Sequence, residues 1–398
     1  MGRRCAAITE RHSRPFNVIA VLSHHPRLLL VGILLMTAML WIGGTRVGLG
    51  TDDYHYLHAL APIEGIGSVL AAFVRADANP QYWRPLANAS LMLDFVLYGW
   101  NGAGYHVTNL ALHILATALV FGFARRILNA DVMASSMAAL IFGLSASHDS
   151  NLLWVAARAD ILASIFLLLT LLLISSKRPQ NVALSGLTYF LALCSKELAL
   201  LLLPFLGVLF LVKRDEWRLK PALLAIGYLT VVAGAFWMLR ADFTVPAAQA
   251  DPMVGEGMTS IIFALKNLSY GLGYLLLPLD LASATVVLSR FRTEAFVIGG
   301  AALVTFALMF RPGIRSMPWK PFIIAAALGL VFSVVVAQSF ERWRLYMPSV
   351  GVYMMLALLI TRTIQASGRI GRSASMAFLI GLLSFHTYRA LAEQHSWT

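Results

Sequence analysis

Apolar stretches of membrane-crossing length recur along the chain, separated by short polar blocks. A helix rises about 1.5 Å per residue, so each stretch approaches the roughly 30 Å of a hydrocarbon core. The runs cover residues 28–44, 107–125, 132–146, 161–174, 182–194, 198–212, 222–239, 261–277, 295–310, 322–337, 350–361 and 374–385. The pattern predicts an all-α polytopic membrane protein. Between the runs, Lys and Arg concentrate in particular loops: the tail 1–27, Arg125-Arg126, Lys177-Arg178, 213–220, 311–320 and 362–372. Cytoplasmic loops carry such an excess, which places the N terminus and these loops inside.

Seven crossings from an inside N terminus put residues 241–259 outside. If every later run crossed, the basic loop 311–320 would fall on the wrong side, so one run must break the alternation. The run 261–277 carries Lys266, Asn267, Gly271 and Gly273 and ends at Pro278, which suits a segment lying along or re-entering the outer face. The expectation is a basic cytoplasmic tail (1–27), a transmembrane domain (28–385) of about eleven helices, and a short outer tail (386–398). A long first outer loop, 45–105, would carry interfacial helices.

Composition agrees with this reading. The chain is 59% hydrophobic and only 13% charged, with mean hydropathy +0.74, whereas soluble domains hold about 25% charged residues. The net charge of +12 follows from the inside loops, and no basic helix or aromatic platform suggests nucleic acid. Two cysteines, Cys5 and Cys194, give no disulfide framework. The first run is longer than a signal-peptide core and lacks a convincing cleavage site, so it is expected to be retained.

The outer loops 45–105, 147–158, 195–197, 280–294 and 338–348 hold most of the chemistry-bearing residues. Asp52-Asp53 follows the first run, where a carboxylate can accept a proton from a hydroxyl held at the interface; a solvated acidic pair at a helix start is the plainer alternative. His106, Asn109 and His113 share one helix face and suggest a lined cavity. No nearby Cys or carboxylate spacing completes a metal site there. His148, the Arg158-Ala159-Asp160 triplet and Lys196-Glu197 border apolar runs, where ionised groups face a wet cavity or a partner. Arg84, within Tyr82-Trp83-Arg84-Pro85, and Arg342 and Arg344, within the stretch from Glu341 to Tyr346, combine guanidinium with aromatic rings. That suits either headgroup anchoring or a phosphate.

In series, these blocks resemble the membrane module of the GT-C glycosyltransferases, specifically the bacterial relatives of the transmembrane and tetratricopeptide-repeat-containing O-mannosyltransferases. The motifs are Asp52-Asp53, Trp83-Arg84-Pro85-Leu86 with Leu93-Asp94-Phe95, Gly104 through Asn109 with His113, His148 through Asp160, Ser195-Lys196-Glu197, and Glu341-Arg342 through Ser349. Where the family usually has His-Pro and then Glu, this chain has Ser145-Ala146 and Ser150, leaving Asp149 as the available substitute. The family's repeats often present the acceptor; the chain given ends at Thr398, so acceptor recognition is expected elsewhere.

The resemblance implies a GT-C-type bundle that moves a sugar from a polyprenyl-phosphate carrier to a protein or glycan hydroxyl, in a bacterial plasma membrane, with the active site outside. In the expected inverting displacement Asp52 or Asp53 takes the acceptor proton. Arg84, Arg158, Lys196 and Arg342 or Arg344 would balance the leaving phosphate. His106, Asn109, His113, His148, Asp160, Glu197, Glu341 and Tyr346 would line the substrate pocket. A divalent cation held by the aspartates through the phosphate is an open alternative to the cationic set. A lipid-sugar flippase and a non-catalytic lipid-phosphate scaffold are the competing functions; no internal repeat of the kind transporters show is present.

Overall fold

In the computed structural model every one of these apolar runs lies on a helix. The structure describes residues 25–60, 65–75, 82–176, 178–217, 219–244, 261–278, 292–338 and 340–397. The tail through residue 24, Cys5 with it, and most of the expected outer segment 280–294 lie outside them. Among the described residues the regular structure is entirely helical.

Local sequence sets the helix ends. Pro26, Pro85 and Pro179 each occupy the first turn of a helix, where a missing N–H costs nothing. Asn101 caps α5 (Gly102–Arg126) by accepting the Ala103 N–H at 3.2 Å, and Asp131 caps α6 (Val132–Leu144) by accepting that of Ala134 at 2.8 Å. Gly99, at φ +56°, ends α4 (Pro85–Tyr98) in a conformation that disfavours a side chain.

Among the described residues six helices are long and apolar enough to cross a membrane: Pro26–Arg46, Gly102–Arg126, Val155–Ser175, Leu219–Ala241, Trp319–Ala337 and Arg342–Ala366. Three shorter apolar helices, Pro85–Tyr98, Val132–Leu144 and Glu197–Val212, accompany them. The expected count of about eleven crossings rests on runs that these six do not include. The helices at Val155–Ser175 and Arg342–Ala366 are 78% buried by the protein itself, against 28% for Pro26–Arg46 and Leu219–Ala241. The first two form the centre of the bundle and the last two face outward.

The ends of the bundle differ chemically. At one end Lys320 pairs with Asp215 at 2.6 Å, Gln365 bonds Asp131 at 3.0 Å, and Lys213 and Arg362 line the same recess. Three of the basic loops, 213–220, 311–320 and 362–372, therefore meet at one end. Segments 45–60, 82–84, 145–158, 195–197 and 340–346 collect at the other, joined by the contacts described below. The helix Ile261–Leu276 belongs to that second end, through Asn267 to Ala337 O at 3.1 Å and the Tyr353 hydroxyl to Leu275 O at 3.0 Å.

Two expectations change on inspection. The first outer loop does carry short helices, Thr51–Leu60 and Ile66–Ala71, but α4 within it is core, burying Asn88, Leu91, Met92 and Asp94. Residues 386–397, expected as a tail, continue the last helix, Arg369–Trp397. Gln394 there donates to Leu40 O at 3.0 Å, joining the last helix to the first.

Close helix approach depends on small residues. A methyl group added at Gly351 would overlap Gly329 N and Ala325 O across the contact between Trp319–Phe332 and Tyr346–Ala366. Gly351→Val is expected to destabilise the detergent-solubilised protein by about 1–3 kcal/mol, the usual cost of overpacking, read as a lowered Tm. Gly207→Ala, where a Cβ meets nothing, should leave it unchanged.

Candidate functional site

The charged residues at the second end sort into four groups distributed around residues 149–160. The first centres on Asp53, which is 1% exposed. Its oxygens accept the Gly50 and Ala156 backbone N–H groups, each at 3.0 Å. Burial pushes the Asp53 carboxyl up, while these amides, that of Val155 and the nearby His106 pull it down. Asp52, in the same helical turn, is exposed.

Arg158 forms the second group and is fully buried at the start of α8 (Arg158–Ser175). It pairs with Asp94 at 2.5 Å. Its Nε donates to Asn109 Oδ1 at 2.6 Å, Nη1 to Ser90 O and Oγ at 3.2 and 3.0 Å, and Nη2 to Tyr105 O at 3.0 Å. A guanidinium has five N–H donors, and these contacts engage all three of its nitrogens. Thr108 Oγ1 donates to the other Asp94 oxygen at 2.9 Å.

The third group is the richest in cations. Arg84 gives Glu197 two hydrogen bonds, at 3.1 and 2.9 Å, and lies 4.0 Å over the Tyr82 ring. Lys196 holds Asp160 at 2.5 Å. Asp160 is buried against that ammonium, and the Arg84–Glu197 pair adjoins it because Lys196 and Glu197 are consecutive. Arg344 donates to Val335 O at 3.1 Å. Arg84 and Lys196 remain partly exposed, at 20% and 13%.

In the fourth group Arg342 bonds Asp149 at 3.1 Å and approaches Glu393 at 3.9 Å, and Tyr274 donates to Asp149 at 3.3 Å. Burial pushes the Asp149 carboxyl up and Arg342 opposes it. The available substitute for the family's Glu is thus engaged in an ion pair.

Ala156, Arg158 and Asp160 fall within five consecutive residues, about 6 Å of helical rise, so the first three groups sit side by side. Asn151 donates to Trp343 O at 3.2 Å, and the Trp154 and Trp343 rings meet at 4.7 Å, bringing the Arg342–Leu345 turn alongside. The groups are neighbours, yet Asp53 bonds backbone amides rather than Arg84, Lys196 or Arg342.

The polar stripe on α5 is real as a helix face, but protein fills the space beside it. His106 faces Leu152 O and Gly48 O at 3.1 and 3.3 Å, Asn109 serves Arg158, and His113 bonds the Tyr346 hydroxyl at 2.8 Å. His148 is fully buried, bonds Ser349 at 2.9 Å and packs on Phe142 and Tyr346. Glu341 begins the turn that carries Arg342 and Arg344, its carbonyl accepting the Arg344 N–H at 3.0 Å. Among the described residues no three His, Cys, Asp or Glu side chains converge as a metal site. Asp94, Tyr274 and Glu393 are participants missed as site residues; an acid inside the apolar Pro85–Tyr98 helix was the available signal for Asp94.

No family model matches the chain. It is 29% identical to the protein O-mannosyl-transferase Tmtc1 of Drosophila melanogaster over 173 residues, 41% of this chain and 20% of that protein. Over 90 residues it is 37% identical to the human protein O-mannosyl-transferase TMTC2, covering 23% of this chain and 11% of that one. The chain thus spans a fifth or less of the length of these relatives, which are animal proteins and do not speak to a bacterial membrane. In structure it superposes on the Archaeoglobus fulgidus oligosaccharyltransferase with TM-score 0.52 and 12% identity, over 93% of this chain and 56% of that one. It superposes on ArnT from Cupriavidus metallidurans, solved with undecaprenyl phosphate, with TM-score 0.50 and 12% identity, over 93% and 75%. The chain shares the fold of these two membrane proteins.

Within this bundle the Arg158–Asp94 pair is a structural joint. Asp94→Asn strands a buried guanidinium and is expected to cost about 3–5 kcal/mol, read as a fall in Tm. Adding Arg158→Met should recover part of the loss; an unchanged Tm in the single variant would contradict the assignment.

Proposed function

We propose that the chain transfers a sugar from a polyprenyl-phosphate carrier to an acceptor hydroxyl on the extracytoplasmic face, by a single inverting displacement. The observation that carries this reading is the pairing of Arg84 with Glu197 and of Lys196 with Asp160, beside the turn 155–157 to which Asp53 is anchored. Sequence similarity to O-mannosyl-transferases and fold similarity to a protein solved with undecaprenyl phosphate support it.

Asp52 is assigned as the base and Asp53 as its positioning residue. Asp52 is exposed and free to meet a hydroxyl, whereas Asp53 anchors the helix start to Gly50 and to the Ala156 turn. In the step proposed, the acceptor oxygen attacks the anomeric carbon as its proton passes to Asp52. The bond from that carbon to the phosphate oxygen breaks, and the carrier phosphate leaves with the electron pair. Arg84 and Lys196, already fixed by their carboxylates, offer that phosphate charged donors. Arg158 and the buried His113 and His148 are left out of the reacting set. If a divalent cation takes part, Asp52 and the donor phosphate are the groups that would hold it.

The test is release of carrier phosphate by purified protein across a panel of polyprenyl-phosphate sugars. Asp52→Asn should lower turnover about 10²–10⁴-fold with Tm unchanged, while Asp53→Asn should lower Tm as well. Parental turnover in Asp52→Asn would remove it as the base, and sugar-lipid binding without turnover by the parent protein would favour the scaffold.

A further inference from the structure

The basic end of the bundle holds a recess that the proposed transfer does not use. It opens between the first helix, Pro26–Trp41, α5 and α8, with a volume of about 570 Å³. A second recess of about 470 Å³ adjoins it and shares Arg126, Leu172, Ser176 and Asn181 with it. The two form one groove of the size that takes small ligands, roughly 300–1,000 Å³.

The groove has two chemistries. Its walls are apolar, with Leu30, Leu119, Phe121, Leu169 and Leu172. Its rim is cationic, with Arg27, Arg126 and Arg178 all exposed and Arg125 beside them. Asn181 and Ser176 add polar groups at the same level, bonded to each other at 2.7 Å. Among the described residues no carboxylate lines either recess. Inside-loop arginines facing water would explain the rim alone; they would not explain the apolar walls that adjoin it.

We propose that this groove binds an anionic diacyl phospholipid, with its phosphate among Arg27, Arg126 and Arg178 and an acyl chain along Leu30, Leu119, Leu169 and Leu172. Charge complementarity selects the headgroup, and basic pockets between membrane helices on the cytoplasmic side suit such headgroups. The site is remote from the proposed chemistry. His106 and Arg126 lie on one helix 20 residues apart, which is about 30 Å of rise. The inference therefore stands independently of the transfer reaction.

The test uses the purified full chain in neutral detergent, titrated with fluorescent phosphatidylglycerol. Saturable binding is expected, with phosphatidylcholine at least about tenfold weaker. Arg126→Gln combined with Arg178→Gln, both exposed, should weaken phosphatidylglycerol binding about tenfold. Leu172→Trp, which fills the slot and keeps the charge, should weaken it as well. Equal binding of the two lipids, or parental binding in both variants, would overturn the proposal. So would competition by glycerol phosphate as strong as by the lipid, which would make the ligand a free phosphate. Stronger displacement by polyprenyl phosphate would replace the diacyl lipid with a carrier.

Discussion

A full positive charge inside a helical bundle has to be neutralised by groups the bundle itself supplies, and Arg158 shows how completely this is done. Moving such an ion out of water costs several kcal/mol even after relaxation. The compensation comes from Asp94, Ser90, Tyr105 and Asn109, on α4 and α5. Forming the pair therefore requires three helices to be in place together. It also explains why α4 is core although it lies within the expected outer loop: the bundle needs its carboxylate.

The same demand shapes the neighbouring groups. Lys196 and Asp160, Arg84 and Glu197, and Arg342 and Asp149 are each paired across helices distant in sequence. For a binding site this is a form of preorganisation. The cations are already oriented, so a phosphate would exchange with a carboxylate as partner and would not have to immobilise long, free side chains. The exposed Asp52 stands apart from this arrangement, unlike Asp53, whose oxygens are committed to backbone amides.

The helices were legible in the sequence because apolar run length is a local property, and three of the basic loops do meet at one end of the bundle. The residues at the other end were legible as a set but less so by role. Arg158 and Asn109 carry no local sign that they would satisfy each other, since the partner arrives from 49 positions away. Asp53 and Asp52 are identical in type and adjacent in sequence, and what tells them apart includes the Ala156 amide, supplied by a turn 103 residues on. The histidine stripe on α5 marked a polar face correctly, but periodicity does not say whether a face meets a cavity or another helix.

Arg158 and Asp160, two positions apart on α8, engage partners of opposite sign on different helices. Each residue turns a helix by about 100°. A one-residue slip would therefore rotate an arginine away from its acid and an aspartate away from its lysine in the same movement. The two pairs key the central helix to one angular setting, much as two pins fix a dial that one pin would let turn.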